Sequence, residues 1–294
     1  MRRTRVMLFS LLAFVFLVSP LTQWAQGESE GTVIKLSKNI YRIMFYFSVP
    51  VNLVLFTGQD GILLVDTGEK DTSESLKSIV KKHGPGGIKY IINTHLHEDH
   101  TGGNEALGKK AIIMNSADLA RWVKQGVISP GKGGLKGRTG KTFNSYYCLK
   151  FNGEDIYIIP AAGGHSGEDM IVYFKDSGIV QMGDLLFSGS FPLIIGDLDK
   201  YQEILEKVVD IYPTNAKFIA GHGKNYTMAD MNNYYKMIID TRKIIEKELK
   251  AGKSLQAVKD AKLLKKWESY GNTFPLMTTN DWIDVIYQAY LQKK

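Results

Sequence analysis

The stretch Thr94-His95-Leu96-His97-Glu98-Asp99-His100, followed by Thr101-Gly102-Gly103, constrains this chain more than any other. It places four candidate metal ligands, His95, His97, Asp99 and His100, within six residues. It directly follows Ile88-Lys89-Tyr90-Ile91-Ile92-Asn93, an apolar run that reads as a buried strand. In extended chain, residues two apart project to the same side, so His95 and His97 can reach one metal ion. Asp99 and His100 lie beyond them on the turn and can serve a second. A strand ending in such a turn is a metal-binding edge, and the remaining chain must bring the other ligands to it.

Those ligands have matching settings. Of the six histidines, His165 stands in Gly163-Gly164-His165-Ser166 just before a strand, and His222 stands in Gly221-His222-Gly223 just after one. Asp184, in Gly183-Asp184-Leu185, closes a strand over 179–182. Glycine lets backbone come close to a metal centre, and strand ends along one sheet edge converge. His83 has no ligand partner nearby in sequence; it reads as a surface residue in the last turn of a helix, where a cation suits the dipole.

Strands are expected over 32–34, 40–44, 51–56 and 61–65, so the chain opens as antiparallel sheet. A loop of aromatic residues, Phe45-Tyr46-Phe47-Ser48-Val49-Pro50, interrupts them. From Asp66 the pattern alternates: a helix over 71–82 stopped by Gly84, the strand to Asn93, the ligand turn, a short helix from Gly103, a strand over 111–114 and a helix over 117–125 capped by Ser116. That alternation is the rhythm of an α/β protein. A second β-rich stretch covers 143–151, 155–160, 170–174 and 179–182, then a helix over 198–211 and a strand over 217–220. After His222 the chain is helical, over 228–249, from Leu255, and from Asp281 behind Asn280, with Trp267, Tyr270 and Trp282 assigned to the core.

Residues 126–142 form a basic, glycine-rich loop ending Gly140-Lys141-Thr142. A phosphate-binding loop needs glycine where this chain has Leu135, which excludes the nucleotide reading. Two readings stay open: a mobile surface loop, or a lid carrying Lys132, Lys136, Arg138 or Lys141 toward an anionic substrate.

The N-terminus carries Arg2, Arg3 and Arg5, then an apolar run over 6–18, then Ala25-Gln26-Gly27. This is the pattern of a cleaved signal peptide over 1–27, with a mature chain beginning at Glu28 in the periplasm or outside the cell. The apolar run is short for a membrane span and is broken by Ser19-Pro20, so no stable membrane association is expected after cleavage. Removing those residues takes the formal charge from +7 to +4, too mild a surplus to imply nucleic acid. The single cysteine, Cys148, permits no intramolecular disulfide and reads as a buried, inert thiol.

Taken jointly, the His-x-His-x-Asp-His turn, the spaced His165, the Gly183-Asp184 pair and Gly221-His222-Gly223 resemble the metallo-β-lactamase superfamily over roughly residues 32–235. The resemblance implies an α/β fold, a four-layer αβ/βα sandwich over 28–235, with a helical C-terminal extension over 236–294 packed on the same domain. It implies that His95, His97 and His165 hold a first metal ion, that Asp99, His100 and His222 hold a second, and that Asp184 bridges both. Asp66 matches the family's acidic residue close behind the ligands and takes an orienting role.

Imidazole and carboxylate without thiolate suit zinc, and also iron or manganese, so two zinc ions are the default expectation. Two ions about 3.5–4 Å apart would share a water of pKa roughly 7, and the resulting hydroxide is the expected nucleophile. Asp99 would accept or relay the proton. The substrate expected is a small acyl compound: an ester, lactone, thioester or cyclic amide, β-lactams included.

Branch markers narrow this. Asp184 stands where one β-lactamase branch has cysteine, as in type-II glyoxalases and lactonases, and Phe187 stands where that branch has a lysine for the drug carboxylate. His97 argues against the di-iron flavoproteins, which have glutamate there. Phe45, Tyr46 and Phe47, where those lactamases have a flap, form with Phe187 the expected substrate pocket. The competing readings are a mononuclear-iron oxidoreductase of the persulfide dioxygenase type and a low-turnover periplasmic accessory protein.

Overall fold

This computed structural model describes residues 30–46, 49–118, 121, 139–272 and 277–293. The signal-peptide assignment, Phe47, Lys132, Lys136 and Arg138 lie outside the described residues, as does most of the helix expected over 117–125.

Period-two alternation along the strands produces the layering. One sheet runs in the order β1 (Thr32–Lys35), β2 (Ile40–Tyr46), β3 (Pro50–Gly58), β4 (Gly61–Val65), β5 (Ile88–Ile92), β6 (Ile112–Ser116), β7 (Thr139–Phe143). Its first four strands pair antiparallel and β4 to β7 pair parallel. The other sheet consists of β8 (Tyr147–Phe151), β9 (Glu154–Pro160), β10 (Met170–Phe174), β11 (Ile179–Gln181), β12 (Lys217–Ile219) and β13 (Tyr226–Thr227), in that order across it. Only β11 and β12 pair parallel there.

Val54, Phe56, Leu63 and Val65 of the first sheet meet Ile156, Ile158, Val172 and Phe174 of the second in one buried layer. The alternate residues Leu53, Leu55, Ile62 and Leu64 face outward against Leu76 and Val80 of α1 (Ser73–His83) and Leu107 of α3 (Asn104–Leu107). On the far side Ile171, Val180 and Phe218 pack beneath α4 (Leu198–Ile211), α5 (Met228–Lys250) and α7 (Thr279–Leu291). Helix, sheet, sheet, helix: this is the expected four-layer αβ/βα sandwich. The short helices α2 (Glu98–Thr101) and α6 (Leu255–Asp260) lie between these. None of the helices described is long and apolar enough to cross a membrane.

Helix α5 runs unbroken from Met228 to Lys250, across residue 235. Trp282 of α7 is fully buried, stacks on Phe191 and donates from Nε1 to Thr241 Oγ1 of α5 at 2.9 Å.

Three expectations need correction. Residues 143–151 are not one strand: the chain leaves the first sheet at Phe143 and enters the second at Tyr147, and the two rings stack across the reversal at 4.9 Å. Cys148 is half-exposed, because Leu149 and Phe151 of β8 take the inward positions. Helix α7 begins at Thr279 behind Thr278, whose reciprocal bonds with Asp281 form a capping box that outcompetes Asn280.

Candidate metal centre

Parallel β4 and β5 end at the same edge, with Val65 beside Ile92, and they deliver Asp66 and the Thr94 to His100 turn. Parallel β11 and β12 end likewise and deliver Asp184 and His222. The two edges are laced together at the start of β3. Asn52 N donates to Gly221 O at 2.8 Å, and its Nδ2 donates to Ala220 O and Gly223 O at 2.9 and 2.8 Å.

The seven expected ligands converge in two groups. In the first, His95 Nε2 and His165 Nε2 lie 2.9 and 3.1 Å from His97 Nδ1, and both lie 3.5 Å from Asp184 Oδ2. In the second, Asp99 Oδ2 lies 3.5 Å from His100 Nε2 and 3.4 Å from His222 Nε2. Asp184 reaches this group too, with Oδ1 3.2 Å from His100 Nε2 and Oδ2 3.3 Å from His222 Nε2.

The outer nitrogens fix which atom faces inward. His165 Nδ1 donates to Leu193 O at 2.5 Å, His222 Nδ1 to Pro50 O at 3.0 Å, and His100 Nδ1 to Asp66 Oδ2 at 2.9 Å. The Thr94 hydroxyl donates to Asp66 Oδ2 at 2.8 Å and accepts from His95 Nδ1 at 3.1 Å. Each of these four rings therefore turns Nε2 toward the centre.

These residues fit divalent cations. Ligand atoms on a tetrahedral ion at about 2.0–2.1 Å stand roughly 3.3 Å apart, close to the spacings here. His100 Nε2 and Asp184 Oδ1 are fully buried and make no hydrogen bond of proper geometry, although they approach each other. Orphaned buried donors and acceptors are rare unless a ligand satisfies them.

Charge is distributed to match. Burial, with His100 nearby, holds the His95 imidazole well below its usual pKa, and burial lowers His97 as well, leaving neutral ligand nitrogens. Burial works against the Asp184 carboxylate, but His222, His100 and His95 outweigh it and hold the group well below the carboxylate range. His100 and His222 shift the other way. Burial pulls both down, and the surrounding carboxylates, Asp184 foremost, push them above the ordinary imidazole value.

Backbone strain marks the same edge. Asp66 adopts a φ of 64°, which turns its carboxylate onto the Thr94 N–H at 2.8 Å as well as onto His100. Gly221 passes so close to Asp184 that a Cβ there would lie 2.0 Å from Oδ1, so no side chain fits.

The expected pocket fares differently. Phe45 is fully buried against Leu53 and Leu76 beneath the first sheet, and cannot touch a substrate. Tyr46, 64% exposed, is turned to solvent at the hairpin tip. Phe187 is 2% exposed and stacks on His222 at 5.0 Å, with His165 tilted against it at 5.7 Å, so it walls the ligands. Lys141 lies in β7 with its ammonium 3.5 Å from the centre of the Tyr147 ring. Sequence reasoning missed Thr94, Asn52 and the buried pair Glu168-Asp169. Two acids opening the all-apolar strand Met170–Phe174 were the one available signal for that pair.

Comparison with known proteins agrees with this geometry. The family model described as "Metallo-beta-lactamase superfamily" matches residues 47–222. The chain is 26% identical over 205 residues to a "Metallo-beta-lactamase type 2" of Bacillus cereus, a match covering 66% of this chain and 77% of that protein. It is 28% identical over 203 residues to a "Beta-lactamase-like protein 2 homolog" of Caenorhabditis elegans, covering 64% of this chain and 63% of that protein. Among solved structures, a metallo-β-lactamase from Pontibacter korlensis superposes with a TM-score of 0.60 at 21% identity, covering 71% of this chain and 98% of that one. The sec-alkylsulfatase Pisa1 from Pseudomonas sp. superposes with a TM-score of 0.72 at 14% identity, covering 89% of this chain and 50% of that one. With the family model covering residues 47–222, which carry all seven ligand positions, the chain belongs to the metallo-β-lactamase superfamily of metal-dependent hydrolases.

Proposed function

We propose that this protein is an exported hydrolase that uses two divalent ions, zinc by default, to cleave a small ester, lactone, thioester or cyclic amide. The observation that carries the proposal is the pair of donor groups sharing one carboxylate, Asp184, in contact with ligand nitrogens of both. Ions bound there would supply Lewis acidity and lower the pKa of a bound water to roughly 7. His95, His97, His165, His100, His222 and the two aspartates hold them. Asp66 fixes the ring orientations of His100 and, through Thr94, of His95. Asp99 is the partly exposed carboxylate of the set, 3.4 Å from His222 Nε2, and is placed to take the proton of the attacking water and relay it to the leaving group. Phe187 keeps bulk water from the rings of His165 and His222. Export rests on the N-terminal pattern of arginines, apolar run and small residues.

A persulfide dioxygenase needs one iron on two histidines and one aspartate, which leaves four of the seven positions without a purpose: one histidine of the first group together with Asp99, His100 and His222. That weighs for the dinuclear reading.

The test is elemental analysis of the mature protein beside turnover of nitrocefin, a lactone, a thioester and a secondary alkyl sulfate. Two zinc ions per chain, with hydrolysis abolished by His95→Ala, is the expected result, and the preferred substrate sets the branch. One iron per chain with no hydrolysis of any compound overturns the proposal. N-terminal sequencing of exported protein should begin at Glu28; retention in the cytoplasm overturns export.

A further inference from the structure

Glu168 joins three separate elements behind the first ligand group. It is 1% exposed and follows the turn carrying His165. Its Oε1 accepts the Leu96 N–H at 2.8 Å, the amide lying between His95 and His97, and the Ser166 hydroxyl at 3.0 Å. Its Oε2 accepts from the Ser116 hydroxyl, at the end of β6, at 3.4 Å. Asp169 beside it accepts from Ser166 N and Gly167 N, and its Oδ1 lies 2.8 Å from Ser166 Oγ, so the two acids share that one hydroxyl proton. Among the described residues no lysine or arginine forms an ion pair with either acid.

Burying a carboxyl group without a cation is costly whether it stays charged or must take up a proton, so its retention calls for a structural gain. The ligands of the first group come from both sheets: His95 and His97 follow β5, and His165 precedes β10. Glu168 is a direct side-chain tie between those two turns. The second group is held by other means, His100 by Asp66 and His222 by Pro50 O.

We propose that Glu168 is a positioning residue for the first metal group, holding the Leu96 peptide in the one place that lets His95 Nε2, His97 Nδ1 and His165 Nε2 converge. The inference rests on the reading that this group binds a metal ion. It acts through the hydrogen-bond acceptor rather than through charge, so an amide should replace the carboxylate.

The test isolates each group in the full mature chain. His222→Ala leaves the first group whole, and His95→Ala leaves the second. Zn2+ affinity is read by competition with a chromophoric chelator, and Co2+ absorption reports ligand geometry. Glu168→Ala should weaken Zn2+ binding in the His222→Ala background by about 10–100-fold, as loss of an outer hydrogen bond to a ligand set does. It should leave the His95→Ala background unchanged. Glu168→Gln should restore affinity and the Co2+ spectrum. Ser166→Ala, which removes one tie to Glu168, serves if Glu168→Ala fails to fold, and should shift the first group in the same direction by a smaller factor. Equal losses in both backgrounds, no loss in the first, or a glutamine variant as weak as the alanine variant overturns the inference. If neither background binds Zn2+ with Glu168 intact, the hydrolase reading itself fails.

Discussion

Replacing Asp66 by asparagine exchanges one oxygen for an amide nitrogen, yet it should disturb both ligand groups. The carboxylate is fully buried and accepts three hydrogen bonds: Thr94 N–H on Oδ1, and the Thr94 hydroxyl and His100 Nδ1–H on Oδ2, all at 2.8 to 2.9 Å. An asparagine carbonyl facing Thr94 N–H leaves its NH2 against two groups that are themselves donors. In the metal-free protein His100 is pushed up by its carboxylate neighbours, so it loses a charge-assisted bond worth about 1.5–3 kcal/mol. The Thr94 hydroxyl must reverse and donate to His95 Nδ1, which moves that ring's proton onto Nε2, the ligand atom. That rearrangement adds a neutral bond of about 0.5–1.5 kcal/mol.

Metal-free stability should therefore fall by about 2–4 kcal/mol, a drop of roughly 5–15 °C in melting temperature for a chain of this size. Zn2+ affinity should fall about 10–100-fold at each group, since both depend on a ring oriented through Asp66. Calorimetry in chelator reads the first quantity, and competitive Zn2+ titration reads the second. Long-range 15N–1H NMR of His95 in the metal-free protein gives the most direct check: Nδ1–H in the parent and Nε2–H in Asp66→Asn. A variant that keeps the Nδ1–H form and binds Zn2+ as tightly as the parent refutes the reasoning.

Gly221→Ala should cost more than about 3 kcal/mol or displace Asp184, the upper end of overpacking losses, because its Cβ would meet Asp184 Oδ1 at 2.0 Å. Gly87→Ala, with nothing within 4 Å, should stay within about 0.5 kcal/mol; chemical denaturation compares the two. Burial and Asp169 push the Glu168 carboxyl up to about 8 from an ordinary 4.5, so across that window the folded chain holds a proton the unfolded chain releases. That group should accordingly contribute less to metal-free stability as pH rises from about 5 to about 8, and Glu168→Gln should lack this part of the slope in denaturation curves taken at both ends. Trp282→Ala should cost about 3–5 kcal/mol and leave one cooperative transition in urea; a second, unshifted transition would show that the C-terminal helices fold apart from the sheets.

What the sequence disclosed was local chemistry. The His95 to His100 turn announces itself because its ligands are adjacent in the chain, and His165, Asp184 and His222 because glycines flank them. The α/β class was legible from the succession of strands and helices, and the four-layer sandwich only through the family resemblance, since alternation sends Val54 and Leu55 to opposite faces without saying what covers either. Hidden from sequence were groups whose partners come from different elements. Asn52 meets Gly221 across 169 positions, and Glu168 meets Leu96 across 72. No local pattern encodes such a pairing, because it exists only once two sheets have closed on each other. The crossing between sheets at 144–146 was hidden for a related reason: Phe143 and Tyr147 are both good strand residues, and their stacking favours a reversal that propensity does not register.

The flap aromatics show where a period argument could have gone further. Phe45 and Tyr46 are neighbours in β2, so the strand must send them to opposite faces, and assigning both to one pocket contradicts that alternation. The inward face of that hairpin already holds Ile43 and Leu53, which takes Phe45 into the core and leaves Tyr46 outside. Tyr46 pairs with Pro50, whose carbonyl accepts from His222 Nδ1, so the hairpin tip and the second ligand group share one residue. Of the described aromatics assigned to the pocket, Tyr46 alone can meet a substrate, and a hairpin that shifts on binding one would move Pro50 O against His222. Tyr46→Ala should raise KM for an aromatic acyl substrate several-fold with Zn2+ stoichiometry unchanged. A variant with parent kinetics would remove the hairpin tip from the substrate site.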